Sequence, residues 1–109
     1  MRVCLPETSL SPDGRVLSNK NTNLLGIDPD LYIGYHIADF VGMDTWIEWE
    51  SRFSQRSRVK LENIITYLPD SVWLSDSTVT RQKDGNIKIR ATQMEQIKGN
   101  RLSLEFAYA

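Results

Sequence analysis

The sequence predicts an α+β domain, an antiparallel sheet with one amphipathic helix packed on one face. Three stretches carry this reading. Residues 57–68 read SRVKLENIITYL, with Leu61, Ile64, Ile65 and Leu68 at i, i+3, i+4 and i+7. That spacing makes a single apolar stripe on a 3.6-residue period. Ser57 can cap the helix and Pro69 blocks its continuation. The second is Asp84-Gly85, a short hairpin signal flanked by Thr78–Lys83 and Asn86–Ala91. The third is the run from Arg101 to Tyr108, where Leu102, Leu104, Phe106 and Tyr108 alternate with Arg101, Ser103, Glu105 and Ala107. Strict alternation marks a strand with one buried face. Such an order, mostly strands with one helix, belongs to the α+β class.

Elements follow in chain order. Residues 1–30 are the least regular part, a loop-rich segment. Within it Pro12-Asp13-Gly14 signals a turn, Arg15–Ser18 fits a short strand, and residues 18–23 (SNKNTN) form a polar loop. Leu31–Val41 fits a strand, with Leu31, Ile33, Tyr35 and Ile37 on one face, or a helix begun by Asp28-Pro29 and closed by Gly42. Gly34 and the Tyr/Ile content favour the strand. Thr45–Phe53 is equally two-sided. A strand puts Ile47, Trp49 and Phe53 on one face, whereas a helix makes Thr45 and Glu48 a capping box and aligns Trp46, Trp49 and Phe53. A hairpin through Gly42-Met43-Asp44 is the favoured expectation. Farther on, Val72-Trp73-Leu74 is a short strand. Around Asp84-Gly85, a two-residue turn pairs Gln82 with Ile87, and a three-residue loop lets Val79 face Ile89. Ile87, Ile89 and Ala91 share a phase that Met94 breaks, so a bulge is expected near Thr92-Gln93. Lys98-Gly99-Asn100 is a further turn signal.

At 109 residues, the length indicates one domain spanning 1–109. Apolar residues make up 40% and charged residues 25%, ordinary values for a globular chain that argue against wholesale disorder. One cysteine, Cys4, leaves no intrachain disulfide framework and no multi-cysteine zinc site. No apolar run reaches signal-peptide or membrane-spanning length, so a soluble, cytoplasmic protein is expected. The net charge of −1 conceals an asymmetry. Residues 1–50 hold three basic groups and eight acids, and residues 51–109 hold ten basic groups and six acids. Halves of opposite sign can neutralise each other inside the fold, or they can give the molecule an acidic and a basic face.

Catalytic chemistry finds little purchase in these residues. Cys4 and His36 are the sole Cys and His, and Cys4 lies beside Leu5-Pro6 with no electropositive setting to activate it. On a strand, Glu48 and Glu50 would point the same way about 7 Å apart, near a glycosidase separation. The spacing is common, and solvated glutamates explain it. Asp28-Pro29-Asp30 lacks the alternating ligands of a calcium loop. One histidine excludes the usual zinc sets, and there is neither a phosphate loop nor a dinucleotide fingerprint. No metal, cofactor or catalytic residue is expected, and the chain is read as a non-enzyme.

Binding is the class that remains. Asp39–Glu50 places Phe40, Met43, Trp46 and Trp49 among Asp39, Asp44, Glu48 and Glu50. Tryptophans anchor interfaces, and surrounding acids steer a basic partner. The expected partner-binding residues are therefore Asp39, Asp44, Trp46, Glu48, Trp49 and Glu50, unless the tryptophans are taken up by the core. The profile resembles that of bacterial immunity proteins: small, cytoplasmic, without catalytic motifs, and often acidic toward a basic nuclease toxin. This is a likeness of profile, carried by no motif. It implies a toxin inhibitor of immunity or antitoxin type whose partner is a basic, nuclease-like domain. The alternative is a nucleic-acid-binding accessory protein. It would use Arg52, Arg56, Arg58 and Lys60 with the basic hairpin residues Arg81, Lys83, Lys88, Arg90, Lys98 and Arg101, although the pI of about 5.8 opposes it.

Overall fold

The structure, a computed structural model, describes residues 5–98. Five strands, β1 (Glu7–Leu10), β2 (Val16–Lys20), β3 (Arg58–Leu68), β4 (Ser71–Arg81) and β5 (Ile87–Lys98), form one antiparallel sheet in the order β2-β1-β5-β4-β3. Between β2 and β3 the chain leaves the sheet and forms a 3₁₀ turn at Thr22–Leu25, a single turn α1 (Ala38–Val41) and the helix α2 (Met43–Phe53). An antiparallel sheet with a helix packed on one face is the α+β architecture the sequence predicts. The helix, however, is a different one.

Residues 57–68 are not a helix. From Arg58 to Leu68 they form the edge strand β3, and the reason lies in a bulge. Leu61 pairs with Ser77 and Ile64 with Ser75, so Glu62 and Asn63 together oppose Asp76 alone. Asn63 takes φ 56°, and its N–H donates to Asp76 Oδ1 at 3.0 Å. The extra residue reverses the strand's phase. Leu61 and Ile64, three apart, therefore both turn inward, at 3% and 6% exposure. A strand that changes phase once imitates a helical period, while Val59, Ile64, Ile65, Thr66 and Tyr67 supply strong β preference.

The helix forms where the sequence is two-sided. Gly42, at φ 92°, ends α1 and opens α2 with a backbone turn that a side chain would strain. Trp46, Trp49 and Phe53 then fall on one stripe and are buried. The Thr45–Glu48 capping box is not used, since the helix begins earlier, at Met43. The strand expected over Leu31–Val41 is absent as well. Tyr32 and Gly34 take positive φ of 70° and 88°, which breaks an extended run into turns. His36 keeps only an isolated bridge to Arg15. Nor are residues 1–30 wholly irregular: β1 and β2 pair with each other, and β1 lies against β5.

The β4–β5 hairpin follows expectation. Val79 faces Ile89, Gln82 N–H bonds to Asn86 O at 2.8 Å, and Gly85 takes φ 89° in the loop. The expected bulge falls at Thr92, between the pairs Ser77–Ala91 and Asp76–Gln93. The alternating run 101–108 and the turn after Lys98 lie outside the described residues. Leu10, Val16, Val41, Trp46, Trp49, Phe53, Leu61, Ile64, Val79 and Ile87 make one core between α2 and the sheet. Among the described residues no helix is long and apolar enough to cross a membrane.

Candidate partner-binding surface

The helix layer is seated on the Pro12-Asp13-Gly14 turn. His36 Nδ1 accepts the Ala38 N–H at 3.0 Å, so its Nε2 carries the proton and donates to Asp13 O at 2.8 Å. The ring thus ties the turn to the start of α1. It also meets Trp46 edge-on, with centroids 5.3 Å apart and planes at 87°. Gly14 packs beneath both rings. Trp46 in turn meets Phe53 at 6.5 Å, and the Arg81 guanidinium lies 5.9 Å from the Phe53 ring centroid. These contacts fix the rotation of α2 and hence what it shows to solvent.

Trp46 and Trp49 are 3% and 4% exposed. They are core residues, and the expectation that they contact a partner is corrected on that ground. Asp39, Asp44, Glu48 and Glu50 are all exposed. The buried stripe leaves Asp44, Ile47, Glu48 and Ser51 on the opposite side of α2, flanked by Met43 and Glu50, because each residue advances the helix about 100°. Met43 and Ile47, four residues apart, are each 56% exposed. The result is an apolar pair bordered by Asp44, Glu48 and Glu50. The sequence marks Met43 as one apolar residue of this stretch without assigning it a contact, and Ile47 goes unmarked, because either could serve the core until the helix phase is known.

Helical phase also separates Glu48 from Glu50, by roughly 200° around the axis. They do not form the aligned carboxylate pair a strand would give. Glu48 instead accepts from Arg52 at 3.0 Å, an exposed i,i+4 ion pair. His36 has both ring nitrogens engaged by backbone, and Cys4 lies outside the described residues. Asp28 Oδ1 accepts the Asp30 N–H at 2.8 Å, an ordinary Asx turn. Among the described residues no cluster of three or more His, Cys, Asp or Glu is placed to hold a metal ion.

The basic residues gather on the other side of the molecule. Register places Arg58 and Lys60 of β3, Lys88 and Arg90 of β5 and Lys20 of β2 on the helix-free face, beside Thr78 and Thr80. Within those rows the acid is Glu7. It is held at 3.3 Å by both Lys88 Nζ and Arg90 Nε. Partial burial alone would raise the Glu7 carboxyl, but bonds and charge from Lys88 and Arg90 outweigh it and hold the group below its ordinary value. Ile65, Tyr67, Val72 and Leu74 occupy the other end of this face. The bases thus cluster at one end of the helix-free face, while register also places Asp76 and Glu95 on that face and Arg52 lies on α2. Compared with known proteins, the chain matches no family model and no curated sequence.

Proposed function

We propose that this protein is a non-enzymatic protein-binding module, an inhibitor of the bacterial immunity or antitoxin kind, acting in the cytoplasm on a basic toxin domain. The observation that carries the reading is the exposed Met43–Ile47 pair on α2 inside a border of Asp44, Glu48 and Glu50. An apolar centre excludes water while the acids steer a positively charged partner and fix its orientation. Asp39 extends the same negative field from α1. Trp46 and Trp49 contribute by holding the helix in place.

The test is a pull-down with tagged protein from its native lysate at moderate salt, run beside Ile47→Asp and Glu48→Lys/Glu50→Lys variants. The expected result is one stoichiometric basic protein retained by the wild type and lost by both variants. Equal retention by all three would overturn the assignment of the surface. A second reading, a nucleic-acid accessory protein, is favoured by Arg58, Lys60, Lys88 and Arg90 sharing the helix-free face. It requires retention on heparin that a Lys60→Glu/Arg90→Glu variant loses.

A further inference from the structure

β3 is an edge strand of eleven residues, and among the described residues no backbone group bonds to its outer side. The opposite edge differs. β2 is partly covered, with Gly34 N–H bonding to Val16 O and Val16 N–H to Tyr35 O, both at 2.8 Å. Exposed edges template pairing unless charge, proline or a bulge blunts them. On β3 those devices occupy one half only. Arg58, Lys60 and Glu62 carry charge, and the Glu62-Asn63 bulge breaks the ladder. From Ile64 to Leu68 the strand is uncharged and pairs with Ser75–Ser71 of β4 without interruption, until Pro69 ends it. Ile65 and Tyr67 point away from the helix at 39% and 57% exposure.

We propose that this five-residue window pairs with its own copy in a second molecule, antiparallel about a two-fold axis through Thr66. The two sheets then join into one. The register follows from the sequence of the window. A two-fold normal to the sheet keeps inner faces with inner faces, so partners must be an even number of residues apart. Centring on Thr66 sets Ile64 opposite Leu68, Ile65 opposite Tyr67 and Thr66 opposite itself. Each is a favourable cross-strand pair, with β-branched against aromatic on the outer face. Sliding two residues one way puts Tyr67 against the bulged Asn63. Sliding the other way puts Ile65 against Pro69 and Ile64 against Asp70. The window is self-complementary in one register, which singles out a second copy over a foreign strand as occupant. Glu48 and Arg52 of α2 line one cleft with Ile64, Ile65 and Tyr67 of this edge, so the two proposals are separated by their variants: those on β3 leave Met43, Ile47, Glu48 and Glu50 unchanged.

Sedimentation equilibrium of the wild type up to about 1 mM reads the dimer directly, a range that detects even weak pairing. Two double variants then test the register. Ile65→Lys/Tyr67→Lys sets lysine opposite lysine twice, whereas Ile65→Lys/Tyr67→Glu sets lysine opposite glutamate twice. Both remove the same apolar side chains, and circular dichroism confirms that each is folded. The expected result is a wild-type dimer, dissociation of the Lys/Lys variant, and a Lys/Glu variant that dimerises roughly 30-fold more tightly than Lys/Lys. In a Cys4→Ser background, Thr66→Cys should form an intermolecular disulfide on oxidation and Lys60→Cys should not. A wild type that stays monomeric throughout overturns the proposal and leaves the edge to a foreign strand. A dimer whose two double variants dissociate equally overturns it too.

Discussion

Replacing Gly14 with alanine tests whether the turn before β2 seats the helix layer. Gly14 takes φ +93°, and a Cβ built there meets Trp46 Cζ2 at 2.7 Å and His36 Nε2 at 2.8 Å. Neither ring can withdraw freely. Trp46 is 3% exposed within the core, and His36 is bonded to Asp13 O and the Ala38 N–H. The left-handed conformation costs an L-residue about 1–2 kcal/mol, and overpacking adds about 1–3 kcal/mol. Gly26 provides the control. It takes φ +69° with nothing within 4 Å of its added Cβ, so Gly26→Ala carries the conformational part alone. The assay is urea denaturation of both variants beside the wild type. Gly14→Ala should fall below Gly26→Ala by about 1–3 kcal/mol, a midpoint difference on the order of 1 M at the slope of a small domain. Equal losses in the two variants would refute the close packing of Gly14 under Trp46 and His36.

Other predictions follow from the same geometry. Trp46→Ala and Trp49→Ala should each lower stability by about 3–5 kcal/mol in thermal or denaturant melts, as large core truncations do. Glu48→Lys should lower it by only about 0.5 kcal/mol, since it removes one exposed i,i+4 pair. Glu7 is held below its ordinary value when folded, so its stabilisation is complete above the unfolded carboxylate range and disappears as pH falls through the folded value. The stability difference between wild type and Glu7→Gln should therefore be constant above about pH 5 and shrink on acidification, as denaturant melts across pH would show. A constant difference down to pH 2 would contradict the Lys88–Glu7–Arg90 cluster.

Local signals with a single physical meaning were legible in the sequence. Asp84-Gly85 marks the β4–β5 hairpin, the phase change between Ala91 and Met94 marks the bulge at Thr92, and Pro12-Asp13-Gly14 marks the turn into β2. Signals that depend on a distant partner were not. The Leu61–Leu68 stripe has two sources, a helix or a bulged strand, and what selects the strand is Asp76 on β4, which receives the Asn63 N–H. The Thr45–Phe53 stripe was ambiguous for the converse reason. Two tryptophans and a phenylalanine suit either element until the sheet they cover is known. Asp39, Asp44, Glu48 and Glu50 are exposed, as carboxylates outside a buried ion pair generally are. Trp46 and Trp49 suit an interface or a core equally by residue type, and the phase of α2, which turns them inward, decides for the core.

The proposal for α2 is that its outward face receives a basic partner. It is tested most directly by the association rate of that partner, once retained in the pull-down, measured against ionic strength for wild type and Glu48→Lys/Glu50→Lys. The wild-type rate should fall steeply with salt. The variant, in which both acids become bases, should associate roughly tenfold more slowly at low salt, with a flatter dependence. Identical rates and identical salt slopes for the two proteins would contradict the claim and remove α2 from the binding surface.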